Sequence, residues 1–148
     1  MADVNVVQSA REAISKMESK KAEIEKLLEK GMEKALLTIE ADAKKNCPVD
    51  EGRLRASITH DTEVGDEEVK GRIGTNVEYA PYIEFGTGIY AQDGNGRQTP
   101  WSWEGEGVKW EGKHLTQGQK GKRFMQDALD SNRDKIGEIF ADTLEGLK

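Results

Sequence analysis

The 148-residue sequence predicts an α+β fold: a long N-terminal helix and a C-terminal helix packed on a small antiparallel sheet, with a Gly/Trp-rich hairpin insertion before the last helix. Three observations carry this expectation. Apolar residues recur at three- and four-residue steps from Ala10 to Ile39 and again from Phe124 to Leu147, as amphipathic helices require. Between Ser57 and Gly74 the period falls to two, that of a strand pair. The stretch 89–121 keeps neither period and contains all three tryptophans.

The length suits one domain, 1–148, and is sufficient for a core. Yet only 35% of residues are hydrophobic while 34% are charged, a balance that fits an assembly-forming protein better than an enzyme with a deep pocket. The net charge of −6 disfavours a general nucleic-acid binder. A single cysteine, Cys47, excludes an intrachain disulfide, and with His60 and His114 as the only histidines no metal site of the Cys/His type is expected. No apolar run approaches the ~20 residues that span a bilayer, and the N-terminus lacks the pattern of a signal peptide, so a soluble protein made in the cytoplasm is expected.

Taken in order, residues 3–8 alternate Val4, Asn5, Val6 and read as an edge strand or extended arm. Ser9 with Glu12 forms a capping box that starts a helix over 9–46. Its stripe runs through Ala10, Ala13, Ile14, Met17, Ile24, Leu27, Leu28, Ala35, Leu36 and Ile39, with Lys20 and Lys21 interrupting it and a bend expected near Ser19. Gly31 in its middle costs about 1 kcal/mol against alanine, which points to close packing there. At ~1.5 Å per residue such a helix is roughly 55 Å long, a length suited to a subunit interface. Its other face carries Glu and Lys at i,i+4 spacing, such as Glu12 with Lys16, and is a solvated surface. Cys47-Pro48 ends it, because the residue before proline is pushed out of the α region. Asp50 is placed to cap one further turn.

A hairpin over 57–74 follows. Ile58, His60, Thr62 and Val64 face a core, Gly65-Asp66-Glu67 turns, and Val69 to Ile73 return. Residues 76–88 then hold Tyr79, Tyr82 and Phe85, three of the nine aromatic residues, at i, i+3 and i+6 along one drifting helical face. Pro81 suits the first turn and Gly86 the end. This segment reads as an aromatic core plug. In 89–121, Trp101 and Trp103 are expected to pair across a turn with Val108 and Trp110. Three tryptophans on a solvated hairpin imply either a partner surface or packing on the hairpin's own domain. The basic residues Lys113, Lys120, Lys122 and Arg123 read as a solvated loop or a polyanion contact, and 123–147 as the closing amphipathic helix.

No catalytic set emerges. Asp61, Glu68 and Lys70 have the outline of a metal-dependent nuclease, two carboxylates holding a divalent ion beside a lysine, but in so charged a chain they better suit the polar rim of a hairpin turn; a small regulatory binding module is the other alternative. Residues 118–123 lack the spacing and the hydroxyl residue of a phosphate-cradling loop. His60 faces inward on a strand and His114 lies in a loop, so no nucleophilic triad is supported.

Two signatures connect these elements. Pro48-Val49-Asp50-Glu51-Gly52-Arg53-Leu54-Arg55-Ala56-Ser57-Ile58 follows the first helix, and Tyr79-Ala80-Pro81-Tyr82-Ile83-Glu84-Phe85-Gly86-Thr87 follows the hairpin. In this order, with Phe124-Met125 leading into a last helix, the chain resembles the gene-product-ten-like head-tail connector and tail-completion proteins of Hong Kong-type siphophages. It departs from their pattern at Glu51, where threonine is usual, and in the long insertion. The resemblance implies a non-enzymatic structural protein of the virion neck or upper tail, assembled in the host cytoplasm and needing no cofactor or metal. Its implied partners are itself in a ring, expected to be a hexamer, adjacent neck and tail proteins, and genomic DNA passing through the lumen without sequence-specific binding; no membrane is involved. Arg53, Leu54, Tyr79, Tyr82, Glu84, Phe85, Gly86, Trp101, Trp103 and Trp110 are the expected structural and interface residues. Arg53 and Glu84 are expected to fix the junction between the first helix and the aromatic segment.

Overall fold

A computed structural model describes residues 2–49, 52–106 and 109–147, with side chains from residue 8 onward. The fold is α+β. Helix α1 spans Ala2–Asn46 and α2 Arg53–Ser57; strands β1 (Thr59–Val64) and β2 (Val69–Gly74) pair; α3 spans Ala80–Phe85; strands β3 (Trp101–Gly105) and β4 (Gly112–Thr116) pair; α4 spans Phe124–Leu144. Single 3-10 turns occupy Gly88–Tyr90 and Glu145–Leu147.

Residues 3–8 are helical, not an arm. The segment has neither glycine nor proline, and valine gives up only a few tenths of a kcal/mol in a helix, whereas an isolated strand has no ladder to join. Ser9 is therefore inside a running helix rather than at its cap, and α1 continues without interruption through Ser19.

The chain forms two compact units. The first comprises the described residues of 1–38, 60–73 and 132–148. Ala35 and Leu36 are buried in it, as are Asn132 and Thr143 of α4. Gly31 allows α4 to approach α1: a Cβ at this position would lie 2.8 Å from Phe140 Cδ1. Gly71 does the same for β2, where a Cβ would stand 2.9 Å from Leu36 Cδ1. On β1, His60 and Thr62 face inward and meet Glu33 of α1, at 3.0 Å from His60 Nε2 and 2.7 Å from the donating Thr62 Oγ1. Val64, expected on the same inward face, is exposed.

The second unit comprises the described residues of 39–59 and 74–131. Its core is Ile39, Ala43, Cys47, Leu54, Ile58, Val77, Ala80, Phe124 and Ala128. Helix α1 stops before Cys47, whose amide still reaches Ala43 O at 2.9 Å and whose carbonyl accepts from Arg55 Nη2 at 3.1 Å. Burial raises the Cys47 thiol above its ordinary pKa, with the Arg55 charge opposing. Asp50 lies outside the described residues; Gly52, in the left-handed region at φ 76°, stands at the start of α2.

Candidate functional site

The segment 80–90 is the organising feature of the second unit, by a mechanism different from an aromatic plug. Tyr82 is 62% and Phe85 50% exposed, and Tyr79, Ile89 and Tyr90 are exposed with them. The buried side chains of α3 are Ala80 and Glu84. Both sets of residues have helical spacing, and the packing chose the smaller one.

Glu84 is 6% exposed and accepts hydrogen bonds from the backbone amides of Met125 at 3.0 Å and Gln126 at 2.9 Å. These are first-turn donors of α4, without partners inside the helix, and the carboxylate also faces the positive end of the helix dipole. The residues just before α4, Lys120-Gly121-Lys122-Arg123, offer no side-chain acceptor to cap it. Glu84 supplies the cap from forty residues upstream. Arg53 is exposed on α2, and the partners of Glu84 are these amides; the expected Arg53–Glu84 junction is replaced by a junction of α3 with α4. Leu54 is buried in the core.

Backbone pairing extends the junction on both sides. Lys122 N donates to Ile83 O at 2.6 Å, Arg123 N to Glu84 O at 3.1 Å, Thr87 N to Gln119 O at 2.8 Å and Ile89 N to Gln117 O at 3.0 Å. Main chain this close leaves no room for side chains between. Gly86 combines φ 82° with a position where a Cβ would be 2.7 Å from Tyr90 O and 2.8 Å from Gln119 O. The Glu-Phe-Gly-Thr-Gly run therefore holds two chain segments edge to edge and turns its rings outward. Beside those rings is a cleft of about 720 Å³ lined by Pro81, Tyr82, Phe85, Thr87, Ala91 and Gln92, among others.

The insertion forms the second aromatic surface. Strands β3 and β4 are antiparallel with Trp101 opposite Thr116, Trp103 opposite His114 and Gly105 opposite Gly112. Trp110 thus lies in the connection rather than on a strand, and Val108 is outside the described residues. The Trp103 and Trp110 rings do meet, 6.3 Å apart and tilted by 49°, but Trp110 reaches Trp103 from the connection rather than from a facing strand position, and both rings gather on His114, which sits on β4 and not in a loop. Trp103 stacks on the His114 ring at 4.6 Å and Trp110 meets it edge-on at 6.4 Å. His114 Nε2 is 2.9 Å from Trp110 O, which anchors the connection. Trp103 and Trp110 remain 40% and 44% exposed, while Trp101 is half-buried with Arg97 over its ring at 5.5 Å. The basic run is split: Lys113 is on β4 and 117–123 belong to the main-chain pairing with α3.

Of the alternative acidic set, Asp61 is exposed on β1, and Glu68 pairs with Lys70 at 3.0 Å with both side chains exposed. Among the described residues no three His, Cys, Asp or Glu side chains are grouped to hold a metal ion. No helix among them is long and apolar enough to cross a membrane.

The family model described as "Bacteriophage HK97-gp10, putative tail-component" matches residues 11–86, from the first turns of α1 to the end of α3. No curated protein and no solved structure matches the chain.

Proposed function

The chain belongs to the HK97-gp10-like family of bacteriophage tail components, and from this premise we propose that it is the ring-forming neck or tail-completion protein that joins the phage head to its tail around the DNA channel. A tail component resides in the virion and works by contact with other phage structural proteins. The observation that carries the finer reading is the pair of aromatic surfaces on the second unit, Tyr82 with Phe85 and Trp103 with Trp110, left exposed by their own chain. Rings of this size in water lose solvation free energy that burial against a neighbour restores, and tryptophan and tyrosine are enriched among interface hot spots. In this reading α3 and the hairpin contact adjacent subunits or the neighbouring ring, in a sixfold arrangement. The net charge of −6 keeps DNA from adhering to the lumen. The protein acts by shape and contact, without catalysis.

Complementation of a phage lacking the protein tests this directly. Tyr82→Ala and Trp110→Ala should yield folded protein that leaves heads and tails unjoined in electron micrographs. Normal yields of joined particles from both variants would overturn the reading.

A further inference from the structure

Positions 10, 14, 17, 21, 24, 28, 31 and 35 of α1 alternate steps of four and three, placing Ala10, Ile14, Met17, Lys21, Ile24, Leu28, Gly31 and Ala35 at the a and d places of a heptad. A 3.5-residue period is that of a seam facing another helix. The chain itself fills only one end of this seam, where Gly31 lies under Phe140 and Ala35 is buried. Toward the N-terminus Ile14 is 54%, Met17 72% and Ile24 38% exposed. Met17, Ile24 and Leu28 floor a groove of about 470 Å³ whose other wall is the β1–β2 turn, Gly65–Val69.

We propose that this half of the seam is occupied by α1 of a second copy of the chain. An apolar floor at heptad spacing fits a helix, and a wall carrying Asp66, Glu67 and Glu68 fits lysines beside its stripe. Helix α1 has both: the stripe Ile14, Met17, Ile24, Leu28 is flanked by Lys16, Lys20 and Lys21. It is complementary to the groove it helps to form, as the interface between two-fold related copies must be. Charges within the helix pair agree. In a parallel pair Lys20, at a g place, faces Glu25 at the following e place of its partner, and symmetry repeats the contact. The present contact of Lys20 with Glu23, 3.4 Å and exposed, is too weak to compete. Lys21 is the one polar residue at an a place of the uncovered half, and such a residue fixes register and strand number while weakening the pair. An anionic bilayer fits less well, because Glu12, Glu18, Glu23, Glu25 and Glu29 are interspersed with the lysines.

The inference does not rest on the ring reading: a two-fold helix pair is distinct from the head-to-tail contacts of a sixfold ring, and it is tested on purified protein without particles, so the two fail separately. In a Cys47→Ser background, mild oxidation should join Met17→Cys chains into a covalent dimer and leave Ser15→Cys chains, one step off the seam, monomeric. Sedimentation equilibrium of the otherwise native chain supplies a second readout. Ile14→Glu should weaken self-association at least about a hundredfold, because both copies lose the side chain. Lys21→Leu should tighten it by about tenfold or more. Equal cross-linking at both positions, a wild type that stays monomeric at high concentration, or variants that associate like wild type would overturn the proposal. So would a monomer that binds phosphatidylglycerol vesicles instead of itself.

Discussion

Replacing Glu84 with alanine isolates the junction that holds the second unit together. The substitution removes the acceptor for two amides, Met125 N and Gln126 N, at the start of a 21-residue helix. Loss of a helix cap costs about 1 kcal/mol, and leaving a desolvated donor unpaired costs about 1–3 kcal/mol more. The site is 6% exposed, so water reaches these amides poorly once the side chain is gone. Together these give a loss of about 2–4 kcal/mol, a large share of the ~5–15 kcal/mol that holds a domain folded. Glu84→Gln keeps one carbonyl acceptor but turns its amide NH2, itself a donor, toward the second backbone donor and loses the charge that favours the helix N-terminus, for a loss of about 1–2 kcal/mol. Urea unfolding followed by circular dichroism should show the order wild type, Gln, Ala in midpoint. Since a 1 kcal/mol change moves the melting point of a chain this size by roughly 2–4 °C, the alanine variant should melt about 4–16 °C lower. An alanine variant within about 0.5 kcal/mol of wild type, the range of neutral surface changes, would refute the tertiary cap.

Gly86→Ala places a Cβ 2.7 Å from Tyr90 O at φ 82° and should cost about 2 kcal/mol or more in the same urea assay. Tyr82→Ala should change stability by less than about 1 kcal/mol, far below the ~3–5 kcal/mol of a buried ring, because Tyr82 is 62% exposed. Cys47→Ser puts a hydroxyl into a site 2% exposed and should cost on the order of 1 kcal/mol in thermal melts while leaving assembly intact. Hydrogen bonds from Thr62 and then His60 hold the Glu33 carboxyl below its ordinary value of 4.5, so its stabilising contribution is present above that value and is lost as pH falls through the lower folded-state pKa. Thr62→Val should raise the Glu33 titration midpoint seen by carbon NMR, and an unchanged midpoint would show that the hydroxyl plays no part.

What the sequence made legible follows the length of each pattern. The stripes of α1 and α4 run for many turns, and the alternation of β1 and β2 brackets a clear turn, so periodicity alone locates them. Short segments defeat the same reasoning. In α3 the aromatic residues and the pair Ala80, Glu84 are both helically spaced, and six residues do not say which face is inward. One signal could have decided it: α4 begins after Lys120-Gly121-Lys122-Arg123, where no side chain can cap it, so an acceptor had to come from elsewhere. The hairpin register was hidden similarly, because alternation around Trp101 and Trp110 places Trp110 on a strand, whereas it meets Trp103 from the connection. Gly105 and Gly112, opposite one another as the last strand pair, mark where the connection begins and ends. Residues 3–8 show the converse, a valine alternation too brief to outweigh the helix it continues.

The geometry of the junction also explains how a long insertion can sit inside this fold. Residues 83–89 and 117–123 are joined by main-chain hydrogen bonds on both sides of Glu84, so the chain leaves the frame and re-enters it at adjacent points. Whatever lies between begins and ends close together, and closing a loop whose ends are already held costs little more as it lengthens. The ring contacts of Trp103, His114 and Trp110 are made within the hairpin. The family match ends at residue 86, within the frame and before the insertion, which is where this division falls. Under the interface reading proposed above, substitutions on the hairpin should alter its own contacts without loosening Glu84, whereas a change at Glu84 or Gly86 should disturb the footing of both α3 and the hairpin.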